Sequence, residues 1–537
     1  MNSSVPHRAA RLAALATVLA MAVAACGDDG TASGPGDESG GTLVVAMTAA
    51  QIPSTDTVMA FAHGFEGNRF VNFQLYDALT GYDLAQDTEI PEVVPSLATS
   101  WETSPDGLTW TFTLREDVRF SDGTPFDADA VVFAFDRLLN EDAEFFYPEA
   151  AASAALWASS IASYRKADDG TVEITTHQPN GHLLTDLTFL TIPSPTAVRE
   201  HGNSGYAAHA SGTGPFVLES VETGRQLTMR ANEDHWRGAP DLDRVVLRPM
   251  PDTSARIAAL RSGEVNWIEY PNPDDIRALE QEGYELLVND YDHLWFCTFD
   301  QSREPWSDVR VRQAVNFAID REAIAEDLLA GTAVPAYQHA PVATTVYTPE
   351  NDLYTFDQDR ARALLEEAGY GDGFSSTWTV PTGGSGNLVP VPIATTIQSQ
   401  LAEVGIDIEI RTIEWAAFLA DLSAGQPALG SDVQCASTVT YQAEPLVRAF
   451  WNRADTRYRG HYDSAVVDEL SGQAEQTIDQ ETRIDLYRQA EAQVSADAPS
   501  LFVVSDRNPR VVAPQVDGVI QPKSWFIDLT TVSVAGS

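Results

Sequence analysis

The most informative part of this chain runs from Leu97 to Asn140 and reads LATSWETSPDGLTWTFTLREDVRFSDGTPFDADAVVFAFDRLLN. Its middle alternates apolar and polar residues from Trp110 to Arg115, and a period of two predicts a strand with one buried face. Pro-Asp-Gly at 105–107 predicts a tight turn before that strand. After a second turn, Asp127 precedes apolar residues with helical periodicity, which predicts a capped helix. The residues alone therefore predict a strand and then a helix, each preceded by a turn.

The order of these parts is more specific than the parts themselves. The pattern LA-x-SW, followed by S-x-DGLTWTF-x-LR-x-x-V-x-FSDG-x-P-x-x-AD-x-V-x-F, resembles the signature segment of the family 5 extracellular solute-binding proteins, the peptide- and nickel-type receptors of ABC importers. Later segments resemble the same family: GTGPF at 212–216, NEDHW at 232–236, PWSDVRVRQAVNFAIDREAI at 305–324 and ARALLEEAGY at 361–370. Such features recur from Thr42 to Pro522, so the resemblance covers nearly the whole mature chain.

The resemblance implies an α/β fold of the type II (cluster C) periplasmic-binding-protein class, a two-lobed clamp with an extra subdomain in its first lobe. The length of 537 residues agrees with several domains, because so long a chain does not form one core. The implied boundaries are a signal peptide at 1–25, a flexible tether at 26–41, lobe I at 42–73, 212–294 and 501–537, its extra subdomain at 74–211, and lobe II at 295–500.

The formal net charge of −45 excludes one class of partner. Nucleic-acid binding needs a basic patch for the phosphates, so no nucleic-acid partner is expected. An acidic surface favours cationic ligands, but solubility or a saline habitat explains the charge more simply.

The amino terminus predicts export and a lipid anchor. Arg8 and Arg11 precede an apolar run at 12–25, which is short for a bilayer span and typical of a signal peptide. The run ends in Val-Ala-Ala-Cys, which resembles a bacterial lipobox with Cys26 as the lipid acceptor; an ordinary cleavage site before a chance cysteine is the alternative. Glycine, serine and acidic residues then predict a flexible tether. We therefore expect an extracytoplasmic protein, lipid-anchored to the outer face of the bacterial cell membrane.

Two further cysteines, Cys297 and Cys435, lie in apolar, strand-like sequence. An oxidising compartment allows them to pair, but free buried cysteine is also common in such sequence. The sequence leaves this disulfide open.

Motifs of common enzyme classes are missing from the sequence. The chain has no H-E-x-x-H, no paired C-x-x-C and no G-x-S-x-G, and the glycine-rich corner at 212–216 completes no phosphate-binding motif. Carboxylates are so numerous that a glycosidase-type pair among them is not recognisable. The sequence therefore predicts a binding protein that is not an enzyme and has no cofactor or metal.

The resemblance also implies where a ligand binds. It places contacts in the loop after the first strand, at Phe61, His63, Gly64 and Phe65, although His63 is explained more simply as a solvent-facing residue. The other candidate contacts are Trp415, Cys435, Thr438 and Tyr441, of which Tyr441 is the strongest. Trp415 suits stacking on a sugar or a side chain, and equally a core position at the start of a helix.

The sequence favours one class of ligand without excluding the others. Peptide-binding members of the family usually carry an aspartate, in a segment like G-x-x-AD-Y-x-x-P, that pairs with the peptide's α-amino group. Thr440 stands at that position here, and a hydroxyl does not replace a buried charge partner. A peptide-like ligand stays slightly favoured; an oligosaccharide, or a ligand-presenting sensor lipoprotein built on the same clamp, is the alternative.

The expected partners follow from the same resemblance. They are a small-molecule or peptide ligand in the cleft between the lobes, an ABC permease with its ATPase, and the membrane through the lipid anchor. The protein itself is expected to be a monomer.

Overall fold

The architecture rests on three sheets, seen in a computed structural model that describes residues 40–63, 65–384, 386–423, 430–439 and 460–535. A seven-stranded sheet with its packed helices is called lobe I, a six-stranded sheet with its helices lobe II, and a four-stranded sheet with its helices the subdomain. Two ribbons pair Thr80–Tyr82 with Val93–Pro95 and Val516–Asp517 with Ser533–Val534.

The lobe I sheet is built around the strand Thr42–Met47, whose sequence TLVVAM is almost entirely apolar. It pairs in parallel with Arg244–Pro249 on one side and with Trp267–Glu269 on the other. Such a run suits a strand covered on both faces. The strand order is Glu285–Leu287, Arg510–Val512, Trp267–Glu269, Thr42–Met47, Arg244–Pro249, Gln226–Ala231 and Phe216–Glu222.

The lobe II sheet is built around His293–Phe299, which is buried along its whole length. Antiparallel neighbours flank it, Val433–Val439 on one side and Ser500–Asp506 on the other. The strand order is Ala333–Pro335, Ser500–Asp506, His293–Phe299, Val433–Val439, Phe374–Pro381 and Ile406–Ile413.

The subdomain contains the stretch that the sequence singled out. Its strand Thr109–Leu114 buries the apolar residues Trp110, Phe112 and Leu114, as the alternation predicted. The strand order is Ala98–Thr103, Thr109–Leu114, Thr171–Thr176 and Ile161–Asp168.

The turn and the helix cap predicted in this stretch are also confirmed. Gly107 N donates to Ser104 O at 2.8 Å, with Gly107 at φ +71°, a conformation that glycine adopts without steric cost. The Asp127 side chain accepts from Ala130 N at 3.0 Å and caps the helix Ala128–Leu139.

Helices cover the sheets. The α-helices are Phe65–Gly67, Phe73–Leu75, Ala128–Leu139, Pro148–Ala158, Leu183–Phe189, Pro195–Tyr206, Thr253–Arg261, Pro273–Gln281, Val309–Phe317, Arg321–Ala323, Gln358–Glu367, Pro390–Ala402, Trp415–Ser423, Ala465–Gln476 and Gln480–Asp497. Short 3₁₀ segments lie at Thr57–His63, Ala207–His209 and Pro349–Asn351, and π segments at Asn68–Asn72 and Ile324–Leu328. Within the described residues, no helix is long and apolar enough to cross a membrane.

The described chain passes between the two lobe sheets twice. It leaves lobe I after Glu285–Leu287 and enters lobe II at His293–Phe299, then returns from Ser500–Asp506 to Arg510–Val512. The predicted boundaries put residues 501–537 in lobe I, whereas Ser500–Asp506 pairs within the lobe II sheet. We therefore propose that the return to lobe I follows Asp506; the other boundaries stay predictions.

The lobe II sheet contains the two cysteines whose pairing the sequence left open. Cys297 and Cys435 lie opposite each other on neighbouring antiparallel strands and form a disulfide. Both are fully buried in the hydrophobic core of lobe II. The bond joins the strand that enters the lobe to the strand that carries Thr438.

Candidate ligand-binding junction between the lobes

The loop after the first strand carries one group of predicted ligand contacts, and buried acidic residues hold it in place. The Glu66 carboxylate accepts hydrogen bonds from Thr48 N at 2.8 Å and from Ala49 N at 2.7 Å. Asp56 accepts two hydrogen bonds from the Arg137 guanidinium, at 2.8 and 2.6 Å. Arg137 belongs to the helix Ala128–Leu139, so the signature segment helps to position this loop.

A fully buried ionic network fixes the return crossing to lobe I. The Glu269 carboxylate pairs with Arg69 and with Arg510, the latter at 3.0 Å from Nε to Oε1. Arg69 also donates to Asn508 Oδ1 at 3.0 Å and to the Trp525 carbonyl at 2.7 Å. Burial and the nearby Arg69 guanidinium lower the pKa of Arg510 to about 10. Each of these charges is thus paired and hydrogen-bonded inside the protein, as buried charges require.

His293, the first residue of the entering strand, is buried and uncharged. Its Nδ1 accepts from Asp506 N at 3.1 Å, and this bond assigns the proton to Nε2, which donates to the Gly386 carbonyl at 2.9 Å. Burial lowers the pKa of His293 despite the nearby Asp506 carboxylate. These bonds join both crossings to the glycine-rich loop at 383–388.

The glycine-rich loop at 383–388 contacts residues of both lobes. Asn387 Oδ1 accepts from Ser437 N of the lobe II sheet at 3.0 Å. Leu388 packs against the lobe II core and also against the hydrophobic cluster that contains Tyr291 and Trp525. The loop is therefore part of the junction between the lobes.

Trp415 lies beside the same loop at the start of the helix Trp415–Ser423. Its ring is partly buried and stacks on Phe418, with 5.5 Å between ring centroids. The Gly384 backbone lies against the ring, since a Cβ at Gly384 would come within 2.6 Å of it. A core-like position at a helix start is thus present, and the predicted ligand contact stays a prediction.

A second contact between the lobes joins the subdomain to the helix pair at 465–497. Gly181 N donates to Glu475 O at 2.9 Å, and His182 Nε2 lies 2.6 Å from Tyr487 OH. No local sequence pattern pairs these residues, which are far apart in the chain, and sequence reasoning missed them.

The structure places the remaining predicted contacts unequally. Cys435 has its sulfur in the disulfide and its side chain in the core, and the predicted ligand contact stays a prediction. Thr438 is 8% exposed and pairs with Leu294 in the lobe II sheet. Other predicted residues lie outside what the structure describes. These are Gly64, Tyr441, the predicted anchor Cys26, and the side chains of Phe61, His63 and Phe65. Across the described part of the chain, no group of three His, Cys, Asp or Glu side chains is placed to hold a metal ion.

Comparison with known proteins identifies the family. The model of the bacterial extracellular solute-binding proteins, family 5 (middle), matches residues 92–442. The dipeptide-binding protein of Escherichia coli is 29% identical over 89% of this chain and 95% of its own length. Heme-binding protein A of Haemophilus influenzae is also 29% identical, over 83% of this chain and 85% of its own.

The fold comparison agrees with this match. The structure of the periplasmic binding protein DppA from Helicobacter pylori, in complex with the peptide STSA, is 25% identical with a TM-score of 0.78, covering 93% of this chain and 99% of that one. The predicted family and the predicted type II two-lobed clamp are confirmed. The chain belongs to the family 5 extracellular solute-binding proteins, the substrate-binding components of ABC transporters.

Proposed function

We propose that this protein binds a peptide-like solute between its lobes and delivers it unchanged to an ABC permease. The observation that carries the proposal is the family match over residues 92–442, on a chain whose lobe sheets are joined by two short crossings. Two lobes on such crossings can open and close around a ligand. A ligand that contacts both lobes favours the closed state by its differential affinity for that state.

The peptide-like class is supported by two relatives and weakened by two observations. A dipeptide-binding protein and a peptide-bound structure are among the similar proteins. A heme-binding protein is equally identical, so identity alone does not choose the ligand. Thr440 also stands where peptide-binding relatives are expected to carry an aspartate. An oligosaccharide is therefore the second class to test.

The proposed contacts come from both sides of the junction. The loop after the first strand contributes Phe61, His63, Gly64 and Phe65, and lobe II contributes Trp415, Thr438 and Tyr441. Support comes from the anchoring of that loop by Glu66 and Asp56, and from the position of Trp415 beside the glycine-rich loop.

We further propose that the chain acts outside the cytoplasm as a monomer tethered through a lipid on Cys26. The lipobox-like sequence supports the anchor, and the Cys297–Cys435 disulfide suits an oxidising compartment. Expression of the full chain and of Cys26→Ala tests this, because only the variant should leave the membrane fraction. A wild-type protein found in the soluble fraction would contradict the anchor.

Native mass spectrometry of the purified protein tests the solute-binding proposal. We expect a bound small molecule whose mass, after release, identifies a peptide or an oligosaccharide. Adding back that molecule at about 100 times its Kd should stabilise the fold by about 2.7 kcal/mol. A chemically altered product in place of the added solute would contradict a binding role without catalysis.

A further inference from the structure

One buried carboxylate at the junction has no hydrogen-bond partner in the part of the chain that the structure describes. Asp292 directly precedes the entering strand His293–Phe299 and is 6% exposed. Neither of its carboxylate oxygens has a hydrogen-bond partner among the described residues. Buried carboxylates are normally paired, because an ionised group loses its hydration without compensation when it is buried alone.

A second carboxylate lies close to it. Glu491 is fully buried, and its Oε1 lies 2.8 Å from His339 Nδ1. Its Oε2 has no hydrogen-bond partner within the described ranges. Burial and the Glu491 charge both raise the pKa of Asp292 well above its ordinary value. Among the described residues, no arginine or lysine lies within 4.0 Å of either carboxylate. The two side chains thus offer three acceptor oxygens, and the basic group in contact with them is the His339 imidazole at Glu491.

This acidic pair lies where the lobes meet. Tyr291, the residue before Asp292, packs against Trp525. Both rings belong to the hydrophobic cluster that joins the subdomain to lobe I. Glu491 lies one helical turn after Tyr487, the residue that contacts His182 of the subdomain. Glu491 is therefore close to a contact between the subdomain and lobe II.

A primary ammonium group matches what the pair lacks. It carries one positive charge and three N–H donors, and hydrogen bonds from a charged donor to a carboxylate are the strong ones. We propose that Asp292, supported by Glu491, binds the ammonium group of the solute. This inference rests on the proposed solute-binding function and specifies the ligand further, as a solute with a free primary amine. The amine can be the amino terminus of a peptide or a lysine-type side chain.

Isothermal titration calorimetry with matched peptides tests the proposal. The probes are a set of di- and tripeptides, the same peptides acetylated at the amino terminus, and lysine peptides acetylated only on the side chain. Each is titrated into the wild type, Asp292→Asn and Glu491→Gln. Asp290→Asn is the matched control, because Asp290 is about one-third exposed and pairs with Arg507 at 2.9 Å.

We expect Asp292→Asn to weaken binding of free-amine peptides by about 30-fold or more, as loss of a buried charge partner does. Glu491→Gln should weaken it less, and Asp290→Asn should bind like the wild type. Acetylation of the bound amine should cost the wild type a similar factor and leave Asp292→Asn unaffected. The amine whose acetylation lowers the affinity, at the amino terminus or on the lysine side chain, is the one that is bound. Asp292→Ser is measured in the same way if the asparagine variant does not fold.

The possible failures are distinguishable. Equal affinity of Asp292→Asn and wild type for free-amine peptides overturns this inference and leaves the solute-binding function intact. Equal loss on acetylation in both proteins also overturns it, because the amine is then recognised elsewhere. A wild type that binds none of the probes, free or acetylated, overturns the peptide-like ligand class and this inference together.

Discussion

Two buried groups of charges at the junction differ in how completely their polar atoms are hydrogen-bonded. Around Glu269, two guanidinium groups share one carboxylate and donate further hydrogen bonds to protein acceptors. Around Asp292, the charge of a second carboxylate, Glu491, raises the pKa of Asp292, and Glu491 itself contacts His339. Three of the four carboxylate oxygens have no hydrogen-bond partner among the described residues. The first group is complete without a ligand and serves the fold. The second group is incomplete, which is the condition expected of a site that a ligand completes.

The largest effect is expected from breaking the complete group. Glu269→Gln leaves Arg69 and Arg510 buried without their counter-charge, so the free energy of unfolding should fall by about 3–5 kcal/mol. Urea denaturation measures this loss. The control is Glu219→Gln, which removes an exposed pair with Arg244 and should change stability little. Equal stability of the two variants would show that the Glu269 network does not hold the fold.

Removing the negative charge of Asp292 should not destabilise the ligand-free protein as the change at Glu269 does, and this difference is visible in the pH dependence of stability. Because burial and Glu491 raise the pKa of Asp292 above its ordinary 3.8, the folded state retains a proton that the unfolded state releases. Stability of the ligand-free protein should therefore fall as pH rises above about 4, by at most about 1.4 kcal/mol per pH unit from this group.

Urea denaturation at several pH values, with wild type and Asp292→Asn compared, isolates this contribution from the general repulsion of an acidic chain. The variant should lose less stability with rising pH, and Asp290→Asn should follow the wild type. An identical slope in all three proteins would contradict an unpaired carboxylate at this position.

Closure of the lobes should control access to the acidic pair. A Cβ at Gly181 would come within 2.2 Å of Thr477 O and 2.7 Å of Arg483 Nη1, so Gly181→Ala should push the subdomain from the helix pair. We expect affinity for the co-purified solute to fall by about tenfold, since the closed state becomes less populated. Calorimetry measures the affinity, and small-angle X-ray scattering the radius of gyration with solute present.

Gly472→Ala is the matched control, because it lies in the helix Ala465–Gln476 with no atom within 4 Å of an added Cβ. It should bind the solute like the wild type. Unchanged affinity and unchanged scattering in Gly181→Ala would show that this contact does not govern closure.

The smallest effect is expected from Tyr487→Phe. The change removes the hydroxyl that lies 2.6 Å from His182 Nε2 and should reduce the binding free energy of the solute by about 1 kcal/mol or less. Calorimetry on this variant, with Tyr337→Phe as a control on an exposed pair with Glu322, measures the difference. A loss of affinity as large as that of Gly181→Ala would show that the hydrogen bond, and not the close packing at Gly181, contributes most to closure.

Local patterns predicted the parts of the fold that local forces determine. The turn at Ser104–Gly107, the strand Thr109–Leu114 and the Asp127 cap depend on residues within a few positions of one another. The two-lobed clamp was predicted from a family resemblance spread along the chain, which carries long-range information that periodicity does not contain.

The junction could not be predicted in the same way, because its contacts join distant residues. Arg69 and Glu269, or His182 and Tyr487, are brought together only by the packing of whole elements. The sequence identifies Asp292 as one of many acidic residues; what distinguishes it is its burial with no hydrogen-bond partner in the described part of the chain. For Cys435, the sequence predicts a ligand contact from its position near a predicted ligand segment. The structure adds what the sequence could not show, that its side chain lies in the core of lobe II.

The disulfide between Cys297 and Cys435 has a geometric consequence for this junction. Side chains on a strand alternate between faces, so a slip of one residue between neighbouring strands would exchange their inner and outer surfaces. A covalent bond across the ladder, five residues beyond Asp292 and three before Thr438, prevents such sliding. The side of the sheet on which Asp292 and Thr438 lie is thus fixed once the two thiols are oxidised to the disulfide.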